Sequence, residues 1–241
     1  MSYYTGALVG VPTANKDKYR EHAKAAWPLF RSYGALRMVE TWGSDVPTGK
    51  VTDFYQAVAA QDDETVVFSW MEWPDKATAD ASWQKMENDP AMKDLPEMPF
   101  DGSRMIFGGF SPLFAAGDTP DTGYYQGFLL AVPEANKSQY EAMIEPIWQM
   151  FHSGGASGIT EVWGTDIPKG QRTDFFRATK AEDGEVPVIG WTTWPDRETY
   201  LNAIKMMNED KDNPDIPEMP FDGMRMMWGG FEPLLDYRAE T

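Results

Sequence analysis

Residues 40–54 read ETWGSDVPTGKVTDF, and residues 161–175 read EVWGTDIPKGQRTDF. The two stretches keep Glu, Trp, Gly, Asp, Pro, Gly and the closing Thr-Asp-Phe in register at an offset of 121. The offset holds outward in both directions without a gap. Residues 4–114 align with 125–235, and 50 of the 111 pairs are identical. Upstream, VPTANKDKY (11–19) matches VPEANKSQY (132–140); downstream, PEMPFDGSRMIFGGFSPL (96–113) matches PEMPFDGMRMMWGGFEPL (217–234). A period this long marks a duplicated domain, not a solenoid unit. Between the copies, AAGDTPDTG (115–123) has the Gly, Pro, Asp and Thr content of a linker. The expected division is residues 1–117 and 118–241.

Within one copy, residues 3–11 read as a strand that Pro12 ends. Residues 14–33 read as a helix, with Tyr19, Ala23, Ala26, Trp27 and Phe30 on one stripe and Gly34 as its cap. A strand over 35–42 follows, then the turn GSDVPTG, a strand over 53–59, the turn QDDE and a strand over 65–73. Asp75 caps a second helix that runs to residue 88. LPEMPFDG is an extended loop, and residues 104–107 form a last strand broken by Gly108 and Gly109. The order is βαβββαβ, a ferredoxin-like α+β pattern with an added strand. Helices would cover one face of a largely antiparallel sheet. Two copies on one chain can pack the uncovered faces together as an intramolecular pseudo-dimeric α/β barrel or sandwich. Such a chain could act as a monomer that is its own pseudo-dimer, or pair further into a homodimer.

Composition removes several classes of function. The chain has 241 residues and a formal net charge of −17, with net charges of −6 before and −11 after residue 120. That field repels phosphate backbones and anionic membranes, so neither is an expected partner. Cysteine is absent, which excludes disulfides, thiolate nucleophiles and Cys-ligated metals. The opening MSYYTGALVGVP has neither the basic nor the apolar region of a signal peptide. No run approaches the ~18 apolar residues of a membrane span. The expectation is a cytoplasmic protein.

These motifs resemble the YbaA-like family of bacterial proteins, a domain of unknown function. The resemblance rests on GALRMVETWGSDVPTGKVTDF, VVFSWMEWPDK and MPFDGSRMIFGGF in the first copy. EVWGTDIPKG, TDFFRA, GWTTWPD and MPFDGMRMMWGGF carry it in the second. It implies a dimeric α/β-barrel fold in which single-copy members pair as homodimers, and no established activity. The superfamily looks like a home for cofactor-free monooxygenases, haem-binding enzymes, small isomerases and binding proteins, and fold does not choose among these. The chain departs from the family in carrying two copies. Thr41 and Val162 stand where relatives tend to have Cys, and the second copy loosens around residues 208–215, where Lys211 replaces Pro90.

Several residues could carry chemistry. By the period of two, Leu36, Met38, Glu40 and Trp42 share a strand face, which would desolvate the Glu40 carboxylate and raise its pKa. Glu161 repeats this between Ile159 and Trp163. Each Glu could be a general base at the mouth of a pocket, or accept bonds from an Arg or from turn amides. Asp53 and Asp174 could anchor a ligand, face solvent, cap the turn they follow, or join Glu40. Arg104 and Arg225, each after an Asp-Gly turn, could hold a carboxylate substrate or pair with Glu40 or Asp101. Trp42, Trp70, Trp163 and Trp191 could wall a site for a flat ligand or pack the core. Trp70 and Trp73 differ in parity and so face opposite sides of their sheet. His22 and His152 do not align with each other, which argues against a symmetric His site. Glu40, Asp53 and Asp101 are a weak signal for a divalent cation, and no metal or cofactor is expected. The leading expectation is a protein that binds a small apolar or aromatic molecule in a pocket of the barrel. The alternatives are a cofactor-independent oxygenase or isomerase using a buried Glu, and a structural or protein-interaction module.

Overall fold

The computed structural model describes residues 2–117, 123–209 and 218–240. In the first repeat the elements are β1 (Tyr3–Pro12), α1 (Lys16–Tyr33), β2 (Arg37–Asp45), α2 (Phe54–Ala57), β3 (Glu64–Trp73), α3 (Lys76–Asn88) and β4 (Ile106–Gly117). The second repeats them as β5 (Tyr124–Pro133), α4 (Lys137–Ser153), β6 (Gly158–Asp166), α5 (Phe175–Ala178), β7 (Glu185–Trp194), α6 (Arg197–Glu209) and β8 (Met227–Arg238). Part of the linker and the stretch after residue 209 lie outside the described residues. None of the described helices is long and apolar enough to cross a membrane.

All eight strands are antiparallel and close into one barrel in the order β1-β3-β2-β8-β5-β7-β6-β4. Within a repeat the sheet is ferredoxin-like. Closure comes from exchange: the first half of β4 pairs with β1, and the part after Gly109 pairs with β6 of the other repeat. β8 does the same with β5 and then β2. A barrel has no free edges, and neither repeat can close one alone.

Two expected elements differ. The strand expected over 53–59 is the four-residue helix α2, and its equivalent is α5. Asp53 caps α2, accepting from Gln56 N at 2.7 Å, and also binds Gly49 N at 3.0 Å. Phe54 and Ala57, three residues apart, both turn inward from this single helical turn. The break expected at Gly108 and Gly109 is a strand passing a crowded point. A Cβ on Gly109 would run into the Tyr3 hydroxyl, and one on Gly108 into Ile167 of the other repeat. The glycines thus let β4 continue to Gly117.

The barrel interior is filled by a column of rings. Phe54 meets Phe231 edge-on at 5.4 Å, Phe231 lies 5.7 Å from Phe68, and Phe68 lies 5.5 Å from Trp70. The outer face packs beneath the helices: Trp73 joins Trp27, Tyr33, Met38 and Ala79. Trp70 and Trp73 therefore face opposite sides of β3, as their parity required.

Candidate functional site

At the end of this column away from α2 and α5, Trp70 and Trp191 stack with centroids 4.2 Å apart and planes 19° from parallel. They are equivalent residues of the two repeats, so their stack lies across the pseudo-two-fold axis. Tyr4 meets Trp191 edge-on at 5.7 Å, and Tyr125 meets Trp70 at 5.2 Å. Beyond the indoles the halves differ. On one side Arg37 forks onto Asp236, with Nε–Oδ1 2.8 Å and Nη2–Oδ2 2.6 Å, and the Tyr125 hydroxyl donates to Asp236 at 3.2 Å. On the other side Gly158 stands where Arg37 would be, and Ala115 where Asp236 would be. There a recess of about 240 Å³ opens, lined by Tyr4, Arg37, Trp70, Glu72, Thr160 and Trp191, with residues 115–117 along its edge. Burial and the nearby Glu72 push the Tyr4 hydroxyl up to about 12, with Arg37 opposing. It is therefore a neutral group at any ordinary pH.

The two glutamates read as candidate bases lie elsewhere. Glu40 and Glu161 sit on the outer face of the wall, beneath α1 and α4. Tyr19 donates to Glu40 at 2.7 Å, and Tyr140 to Glu161 at 2.6 Å. Burial pushes both carboxyls up to about 7. The desolvation expected from the strand pattern is present, but the partner is a tyrosine from the covering helix, and neither Glu lines the recess. Trp42 and Trp163 share this outer face, under Lys16 at 5.3 Å and Lys137 at 5.0 Å.

Arg104 and Arg225 are held in matched ion pairs. Arg104 forks onto Glu64 with two bonds of 2.6 Å, touches Asp101 at 3.1 Å and donates to the Ala59 carbonyl at 2.8 Å. Arg225 repeats this with Glu185, Asp222 and the Lys180 carbonyl. The meeting of Arg104 with Glu40 does not occur, while that with Asp101 does. Asp174 caps α5, accepting from Arg177 N at 2.8 Å. Glu40, Asp53 and Asp101 thus belong to three separate bonding sets, and among the described residues no group of three or more His, Asp or Glu is placed to hold a metal ion. His22 bonds the Pro96 carbonyl, distant in sequence, and His152 the carbonyl of Ala156 four residues on.

The structure gathers Trp70 and Trp191 and separates the other candidates. Tyr4, Arg37, Glu72 and Thr160 escaped sequence reasoning. The signal that could have found the recess is the pair of mismatches Arg37/Gly158 and Ala115/Asp236, two residues that lose volume and charge together in one half.

Known proteins resemble this chain at two levels. The Escherichia coli K12 protein YbaA, described as uncharacterized, is 58% identical over 114 residues, which span 47% of this chain and 97% of YbaA. Among solved structures, a "putative monooxygenase" from Lactobacillus acidophilus NCFM matches with a TM-score of 0.56 at 10% identity, over 98% of this chain and 96% of that one. An anthrone oxidase-like protein matches with a TM-score of 0.56 at 8% identity, over 100% and 94%. At such identities the likeness concerns the fold, and the shared fold is the α/β barrel. Residues 2–102 and 123–223 each match the family model described as "Protein of unknown function (DUF1428)". With both repeats matched, the chain belongs to the DUF1428 family and carries its domain twice.

Proposed function

We propose that this protein binds a small aromatic molecule at the barrel mouth, against Trp70, Trp191 and Tyr4. The observation that carries the reading is the recess, which has ring faces on one wall and Arg37, Glu72 and Thr160 on the others, in a barrel otherwise filled by its own side chains. A buried apolar cavity of about 150 Å³ accepts benzene, and ordinary ligand pockets begin near about 300 Å³. The recess of about 240 Å³ fits between, so the ligand class is a single ring with one or two polar substituents. Charges of both signs on the rim suit a hydroxyl or amine on that ring.

An oxygenase would use the same mouth, a reading supported only by the fold shared with the putative monooxygenase and the anthrone oxidase-like protein. It draws nothing from Glu40 or Glu161, whose carboxyls are outside the barrel wall. Of the residues expected to bind ligand from sequence, the role falls to Trp70 and Trp191.

The test is saturation-transfer NMR with phenol, aniline and benzoate, with cyclohexanol as a non-aromatic control. The parent protein is compared with Ala115→Asp/Gly158→Arg, which copies the Arg37–Asp236 pair into the open half. Ring protons should receive saturation from the parent and lose it in the variant. Equal transfer in both proteins would place the ligand elsewhere and end this reading.

A further inference from the structure

The other end of the barrel is covered by α2 and α5, which meet across the pseudo-two-fold axis. Thr52 donates to the Ala178 carbonyl at 2.7 Å, and Thr173 donates to that of Ala57 at 2.5 Å. Outside this reciprocal clasp lies a cleft of about 520 Å³, between Gln56 and Ala59 on one side and Arg172, Arg177 and Lys180 on the other, with Phe176 between the cations. The first repeat has Val51, Gln56 and Ala59 at the equivalent positions. Residues 169–180 hold Lys169, Arg172, Arg177 and Lys180 against the single acid Asp174, in a chain whose net charge is −17. The equivalent residues 48–59 hold one Lys and one Asp. The concentration of positive charge is thus local, belongs to one repeat, and coincides with a concave surface.

One guanidinium and the backbone beneath one lysine are held by their surroundings. The Arg177 guanidinium donates to the carbonyls of Gly170 and Gln171 at 2.8 and 3.0 Å. Lys180 occupies a left-handed backbone position, φ 52°, anchored through its carbonyl by Arg225 at 2.8 Å. Two neighbouring acids each divide their bonds between one of these cations and other donors. Asp174 accepts from Arg177 N in α5 and from Gly170 N in the turn before it, and lies 3.6 Å from Arg177 Nε. Asp101 binds Ser103 and Arg104 and reaches Arg172 at 3.5 Å. Three cations on an anchored backbone with fewer opposing charges form a site for an oxyanion.

We propose that this cleft binds a small polyvalent oxyanion, independently of the barrel mouth. The test uses pyrophosphate and citrate, titrated separately by calorimetry at low ionic strength into the full chain. The cleft variant is Arg172→Val/Lys180→Ala. It installs the residues the first repeat already carries at Val51 and Ala59, so folding should be retained, and circular dichroism checks this. Arg177 is left in place because it braces its own loop. A control, Lys18→Ala/Lys24→Ala, removes the same charge from α1. At least one anion should bind the parent with Kd below ~1 mM, weaken tenfold or more in the cleft variant, and be unchanged in the control. The anion that binds identifies the group as phosphate or carboxylate. Three outcomes overturn the proposal: neither anion binds the parent, the cleft variant binds as well as the parent, or the control loses as much affinity as the cleft variant.

Discussion

At the scale of single residues, the most informative side chains are polar groups inside apolar surroundings. Glu161 is 3% exposed, and burial raises its carboxyl from 4.5 to about 7 although Tyr140 donates to it. The folded state then binds a proton that the unfolded state has released between those two values. Linkage makes stability fall as pH rises through that window, by about 3 kcal/mol for a shift of this size. The variant Glu161→Gln should flatten the fall and be more stable than the parent at pH 8. Urea midpoints of both proteins at pH 5 and pH 8 measure this, and parallel shifts would refute it. Carboxyls lowered by partners, such as Glu185 beside Arg225, act below this window and do not confuse the sign. A second residue-scale prediction comes from a broken repeat. Trp73 Nε1 donates to Thr5 Oγ1 at 3.0 Å, but Gln126 replaces Thr5 in the second copy. There Trp194 Nε1, Thr192 Oγ1 and Gln126 Oε1 are buried without hydrogen-bond partners. Gln126→Thr should give Trp194 its acceptor and raise stability by about 1 kcal/mol, seen as a higher urea midpoint with an unchanged slope.

At the scale of elements, α2 and β4 show what local pattern could and could not reveal. The strand–helix–strand start of each repeat, the Gly34 cap and the Asp75 cap were legible because period and capping chemistry are local. The one-turn α2 was not, since four residues carry no period. Its only local signal was Asp53 three residues before Gln56, and an Asp after a turn serves a cap and a turn equally well. The glycine pair in β4 was misread because the reason for it is distant: Tyr3, whose hydroxyl donates to Asp166 of the other repeat at 2.5 Å, and Ile167 beyond it. Gly109→Ala should therefore act across the repeat boundary. The added methyl must displace the Tyr3 ring from Asp166, at a cost of about 1–3 kcal/mol. Thermal unfolding of Gly109→Ala should show that loss, and Tyr3→Phe/Gly109→Ala should recover part of it. A double variant no more stable than Gly109→Ala would place the strain elsewhere.

At the scale of the whole molecule, the duplication legible at offset 121 explains the barrel, and the differences between the copies explain its candidate sites. Arg37 and Asp236 come from different repeats, are both nearly buried, and sit across the mouth from Gly158 and Ala115. No reading of one copy could find the recess, because it exists only where the two are compared in space. The same comparison predicts how the halves assemble. Residues 1–117 paired with a second copy of themselves would bring two Arg37 side chains to the mouth, each facing Ala115 in place of Asp236. Two guanidiniums deprived of their carboxylate in a ring-lined mouth oppose association, since a buried charge without its partner costs about 3–5 kcal/mol. Residues 118–241 paired alone would instead place two Asp236 opposite Gly158. Each homodimer thus carries like charges where the natural chain carries a pair. Expressed as separate chains and mixed, the halves should form a one-to-one heterodimer in preference to either homodimer, as read by native mass spectrometry. Arg37→Gly/Asp236→Ala removes both charges and should erase the preference, leaving the three pairings near their statistical ratio. A preference that survives that substitution would mean the selectivity resides in the rest of the β2–β8 and β4–β6 seams and not in this charge pair.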